Sequence, residues 1–189
     1  VSDLIDHKDH LFGDKGDFAI EVGWDALASG TLWCHMRAWA AGEQIGDIKD
    51  THNATYTMHR LLVDRVELID ELWNDEFGCR SDIEIFDFLD DKLYGFHRNV
   101  EIVDNRSDDE VAADAARFSK YGFLTNWSPS FDGWKSFLIA PPGQSLRVLH
   151  RGPDDEIRVS AVKRNGFINA VNNFDEWHKQ QLSLLPHRG

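Results

Sequence analysis

Two cysteines are all that the chain offers for cross-linking, which excludes the disulfide-stapled class of small domains. Cys34 and Cys79 lie far apart and give no close metal spacing, so each is expected to be a small buried apolar residue. No window reaches about 18 consecutive apolar residues, which excludes a membrane-spanning helix. The first ten residues scatter charge through the segment and lack the basic head and apolar run of a secretory signal. Together these absences favour a reduced, bacterial-type cytoplasm.

Catalytic signatures are equally scarce. There is no Gly-x-Ser-x-Gly elbow, no phosphate loop ending in Gly-Lys-Ser or Gly-Lys-Thr, and no Gly-x-Gly-x-x-Gly turn. Nine histidines invite a metal reading, yet none forms a His-x-x-x-His pair on an expected helix. His7, Asp9 and His10 cluster only in the polar lead-in. His35 belongs to an aromatic strand, where a core or rim role is expected. His150 and His178 could meet across a hairpin and the last helix. Carboxylates are too numerous for any pair to stand out, and a hydrolase needs them to converge in a cleft. No cofactor or metal is expected.

Basic residues are missing from the middle of the chain. Residues 64–114 hold 17 Asp or Glu against 5 Lys or Arg, whereas residues 115–189 hold 6 acidic and 10 basic residues. The whole chain carries −13. Such a field repels nucleic acid and attracts basic proteins. The aromatic residues of the C-terminal third fall on core-facing periods instead of forming a stacking platform, so direct nucleic-acid binding is not expected.

The 7 Trp and 12 Phe are ample for one core at this length, and no linker or repeat divides the chain. Residues 1–16 read as a polar lead-in and residues 17–189 as a single domain. Phe18–Val22 alternates as a half-buried strand, Gly23–Gly30 as a connection, and Thr31–Trp39 as an aromatic-rich strand. A turn at Gly42–Gln44 leads into a short strand over Ile45–Ile48.

Met58, Leu61, Leu62, Val66, Ile69, Leu72 and Trp73 form one apolar stripe over about four helical turns. The opposite face carries Asp64, Glu67, Asp70, Glu71, Asp75 and Glu76. Ser81–Glu84 and Ser107–Glu110 have capping-box spacing and open two further helices, the first ending near Gly95. Acidic residues in those first turns also complement the helix dipole. Phe123–Thr125 reads as a brief strand and Ser130–Trp134 as the start of a short helix. Leu146–His150 and Ile157–Val162 form a hairpin, and Phe167, Ile168, Val171, Phe174, Trp177 and His178 line a closing helix. This order predicts an α+β fold with a mainly antiparallel sheet, an N-terminal meander plus a C-terminal hairpin, packed with about four helices.

Two segments carry a family likeness: Phe18-Ala19-Ile20-Glu21…Leu32-Trp33…Ala38-Trp39-Ala40-Ala41-Gly42-Glu43-Gln44-Ile45-Gly46-Asp47, and Ser130-Phe131-Asp132-Gly133-Trp134 with the later Phe174-x-x-Trp177. Together they resemble immunity protein family 42, from bacterial polymorphic toxin systems, in patches from about residue 17 to residue 182. The resemblance implies a cytoplasmic, non-catalytic protein that binds one cognate toxin domain and blocks it. It assigns no inhibitory residues. Within these segments Trp39 and Trp134 are expected to fill the core, and Asp47 to bind a turn amide.

The acidic stretch adds a mechanism, occlusion of a basic toxin surface such as that of a nuclease. The residues expected to make that contact are Asp64, Glu67, Asp70, Glu71, Asp75, Glu76, Asp87, Asp90 and Asp91. A second reading is a hydrolase with a carboxylate–histidine site, which requires a pocket where such groups converge. A third is an adaptor subunit with several partners.

Overall fold

A computed structural model describes residues 9–28, 31–49, 53–97 and 100–183, without side chains for 24–28 and 31. The lead-in residues 1–8, with His7, and the loop histidine His52 lie outside the described residues. Within them the chain builds an α+β fold of three antiparallel sheets and four helices.

The first sheet is a meander of β1 (His10–Gly13), β2 (Phe18–Ala28), β3 (Thr31–Ala40) and β4 (Glu43–Ile45), with β5 (Asn53–Ala54) also paired to β3. Its helices are α1 (Thr55–Glu67) and α4 (Arg164–Ser183), which pack on each other and on β1–β3. A two-stranded ribbon, β6 (Phe96–His97) and β7 (Val100–Glu101), follows α2 (Asp82–Tyr94); then comes α3 (Asp108–Phe118). The last sheet has the order β10-β9-β8, from β8 (Lys135–Ile139), β9 (Leu146–Arg151) and β10 (Ile157–Val162), with α2 against β9 and β10. One buried cluster joins both larger sheets through Phe18, Met36, Phe86, Phe137, Val148 and Phe174.

Several elements depart from the sequence pattern for local reasons. His10–Gly13, expected as lead-in, pairs with β2, and its Phe12 ring packs 5.3 Å from Trp177 and 5.7 Å from Phe174. β2 runs straight through Gly23 with a register shift between Trp24 and Ala26. That glycine marks a close approach instead of a turn: a Cβ there would lie 2.3 Å from both His35 Nε2 and Asp9 Oδ1, which are themselves paired at 2.9 Å. β4 stops at Ile45 because Gly46 turns with φ +96°.

The expected four-turn helix ends at Glu67. The stripe then continues through a 3₁₀ turn, Ile69–Glu71, which still buries Ile69 and Leu72. Within α1, Arg65 takes a core position, where its guanidinium donates twice to the Gly122 carbonyl at 3.0 and 2.8 Å. Both capping boxes form as spaced, and Gly95 closes α2 in the left-handed region at φ +70°. Phe123–Thr125 makes no strand; Gly122 alone bridges Phe137. Cys34 is buried, but Cys79 is exposed, since it follows the 3₁₀ turn Asp75–Phe77 at the surface.

Candidate partner-binding surface

The charge segregated along the chain is partly rejoined in space. Carboxylates of residues 64–114 meet cations of residues 115–189 at Asp70–Arg164, Glu76–Arg117, Asp82–Arg147 and Asp90–Lys135. Folding thus sets the C-terminal basic excess against carboxylates of the middle stretch, which stays strongly acidic.

This pairing sorts the nine expected contact residues. Glu67, Glu71 and Asp75 are exposed and make no salt bridge among the described residues; Asp64 and Asp91 are half-buried and likewise make none. Asp70 is exposed but paired with Arg164, and Glu76 is paired with Arg117. Asp87 is 5% exposed and Asp90 is fully buried, so neither carboxylate stands on the open surface. The reason is geometric: α2 turns Asp90 toward β8 and β9, where Lys135 hydrogen-bonds it and Arg151 lies 3.6 Å away. Nor do the acidic residues share one helical face, because Asp70, Glu71, Asp75 and Glu76 fall on or beside 3₁₀ turns beyond the end of α1.

What remains acidic and open has two parts. One is the Glu67–Glu71–Asp75 rim. The other is a shallow depression of about 350 Å³ along α2, lined by Glu84, Asp87, Phe88 and Asp91 with His97. Their spacing of three and four residues places the first four on one helix face. Phe88 gives that depression an apolar floor, with the Arg80 guanidinium 4.5 Å from its ring.

A second surface was not expected from the sequence. On the outer side of the meander, Glu21 accepts from Arg37 Nε at 2.8 Å and from Trp39 Nε1 at 2.8 Å, with Lys15 Nζ 3.0 Å away. Although burial acts against the charged form, these three donors hold the Glu21 carboxyl at about 2. Lys15 and Arg37 also lie 4.4 and 4.8 Å from the Trp39 ring. Trp39 thus lies on the outer face instead of in the core. The period-2 alternation of β3 carried that signal, since Met36, Ala38 and Ala40 point inward.

Trp134 is half-buried and packs against the core cluster, covering Gly152, where a Cβ would lie 2.8 Å from its ring. The two segments that carry the family likeness meet each other. Asp47 N donates to Ser130 O at 2.7 Å, and Gly46 lies against the Phe131 ring. Asn53 clamps the junction, accepting from Ser130 N at 3.0 Å and donating to Ser130 Oγ at 2.7 Å and Cys34 O at 2.9 Å. Asp47 Oδ1 accepts from Lys49 N at 2.9 Å, the expected turn amide. These motif residues hold the fold together at a junction.

The histidines split into separate environments. His150 lies 3.2 Å from Ser160 Oγ, and burial pulls its imidazole down to about 4. His178 stacks on His59 with centroids 4.2 Å apart, and burial, with the neighbouring His59, also pulls it down to about 4. His59 Nε2 meets Asp175 Oδ1 at 2.6 Å, but neither residue lines the pocket beside His178. Among the described residues no group of three or more His, Cys, Asp or Glu is placed to hold a metal ion, and no helix is long and apolar enough to cross a membrane. The pocket beside His178 thus brings no carboxylate to that histidine, and the α2 depression, which does set His97 beside carboxylates, is shallow and open.

No curated protein matches the chain. Among solved structures, a crystal structure of CdiI from Burkholderia dolosa AUO158 is similar in fold. It shares 14% identity and a TM-score of 0.57, covering 87% of this chain and 97% of that one. The family model of immunity protein 42 matches residues 10–177, from the first strand of the meander to well inside the closing helix. With both larger sheets and all four helices inside or entering that match, the chain belongs to the immunity protein 42 family.

Proposed function

We propose that the protein binds a cognate bacterial toxin domain in the cytoplasm and neutralises it by covering its active or substrate-binding surface, with no catalysis of its own. The observation that carries this reading is the family match over residues 10–177. The likeness in fold to CdiI agrees with a role in contact-dependent inhibition.

The contact we favour is the open acidic surface: Asp64, Glu67, Glu71 and Asp75 on one side, and the α2 depression with Asp91 on the other. A basic toxin such as a nuclease fits that sign. Long-range attraction would speed its association, while Phe88 and similar apolar contacts would slow its release.

The test is co-expression with the toxin domain encoded beside the gene. A stable complex on gel filtration, with loss of toxicity in cells and loss of toxin activity in vitro, is the expected result. Failure of the purified pair to associate at micromolar concentration would overturn the reading.

A further inference from the structure

Beneath the second family segment lies a cleft of about 290 Å³ with a different chemistry from the acidic surface. Its walls are aromatic, from Tyr94, Phe96 and Trp134, and its floor is cationic, from Lys135 and Arg151. Lys135 Nζ lies 4.7 and 4.8 Å from the Tyr94 and Phe96 rings. The two floor cations share one buried carboxylate, Asp90, so these three groups together carry one positive charge in excess.

That sharing is incomplete. Arg151 is 8% exposed, its Nη1 makes no hydrogen bond, and its approach to Asp90 Oδ2 is a long 3.6 Å. Burial acts against both members of the Lys135–Asp90 pair, pushing the Asp90 carboxyl up and the Lys135 ammonium down. A further anion would therefore strengthen the set. Asp155 also approaches Arg151, but it stays at the rim, 69% exposed and 4.0 Å from Arg151 Nε.

The backbone around the mouth is held in unusual conformations. Asn126 lines the cleft at φ +56°, Leu124 just before it has φ +60°, and Asp155 has φ +62°. Non-glycine residues in this region cost on the order of 1 kcal/mol each and gather where geometry serves binding.

We infer that this cleft is a binding site for a single carboxylate carried beside a flat or apolar group. The carboxylate would neutralise the excess charge of Lys135 and Arg151, and its frame would lie among the three rings. One negative charge matches the floor, whereas a dianion such as phosphate would overshoot it and meet Asp155.

The experiment uses the full chain, ¹⁵N-labelled, titrated with benzoate, with neutral benzamide, and with inorganic phosphate. The Trp134 indole signal, assigned from a Trp134→Phe variant, and the Asn126 amides should shift saturably with benzoate at about millimolar affinity, and at least tenfold more weakly with the other two. Because Asp155 is exposed at the rim, Asp155→Asn should keep the fold and tighten benzoate threefold to tenfold. Asn126→Asp should weaken it by a similar factor. Equal responses to benzoate and benzamide, no saturable shift, or an Asp155→Asn affinity equal to the parent's would overturn the inference. A toxin domain that displaces benzoate would identify an acidic side chain of the partner as the source. A toxin domain that binds without displacing it would assign the cleft to a free small carboxylate. Either result supports the site, and neither depends on the acidic face.

Discussion

Asp90 on α2 and Lys135 on β8 form an ion pair in which the carboxylate is wholly buried, so a charge that the sequence places on a solvated face lies inside the protein. Removing one partner leaves an uncompensated charge. Lys135→Met is expected to lower stability by about 3 kcal/mol, because Arg151 alone reaches Asp90 only at 3.6 Å. The double variant Asp90→Leu with Lys135→Met should recover only part of that loss, because the Arg151 guanidinium then keeps only the exposed Asp155 at 4.0 Å. Urea unfolding of the parent, the two single variants and the double variant measures it, and additive losses would show that the pair is not coupled.

The junction of the two family segments makes a second prediction. Asn53 is fully buried and serves Ser130 N, Ser130 Oγ and Cys34 O, so Asn53→Ala strands several polar groups and should cost about 2–3 kcal/mol. Gly46→Ala should cost a similar amount for another reason. Its φ is +96°, and the new Cβ would stand 2.6 Å from the Phe131 ring. If Gly46→Ala leaves the unfolding midpoint unchanged, the close packing of Gly46 on Phe131 is wrong.

Acid should weaken the fold through two buried histidines. His150 and His178 lie at about 4 in the native state, against 6.5 for the free side chain. Between these values the unfolded chain binds more protons than the folded one, so stability rises with pH. Their contribution is fully present above about pH 6.5, shrinks as the pH falls, and is gone near pH 4. Going from pH 7.5 to pH 5, each histidine should remove about 2 kcal/mol. Glu21, held at about 2 against 4.5, adds its own loss only below about pH 4.5. Unfolding midpoints measured from pH 7.5 to 4.5 test this. His178→Leu should flatten the slope between pH 6.5 and 5, and an unchanged slope would sink the assignment.

Local signals in the sequence translated well where the backbone decides the outcome. The two Ser-x-x-Glu boxes, the β9–β10 hairpin and the closing helix depend on neighbours a few residues away, and they form much as spaced. What failed depends on distant partners. Period alone cannot say that α1 ends at Glu67, that Gly23 makes room for His35, or that Asp90 faces Lys135 from 45 residues away. The aromatic cleft was illegible for the same reason, since α2, the 124–134 segment and β9 meet only in the fold. Trp39 was the one misplacement that the pattern itself could have prevented, because strict alternation along β3 turns it outward.

The acidic surface is open to a direct kinetic test. Glu67, Glu71 and Asp75 are exposed without salt bridges among the described residues, and Asp91 borders the α2 depression. Reversing these four to lysine changes the surface by eight charges while sparing the buried Asp90 network. If long-range attraction guides the toxin domain, association at low salt should slow by at least about tenfold. The salt dependence of the association rate should flatten at the same time, because exposed charges are screened over about 10 Å at 0.1 M salt. Dissociation should change less, being governed by close contacts. Stopped-flow association across a salt series separates these effects. Reversing Asp70 and Glu76 offers the contrast: both already face arginines, Arg164 and Arg117, so their loss should lower stability slightly and alter association less per charge. Equal effects from the two variant sets would mean that net charge acts alone, with no preferred face.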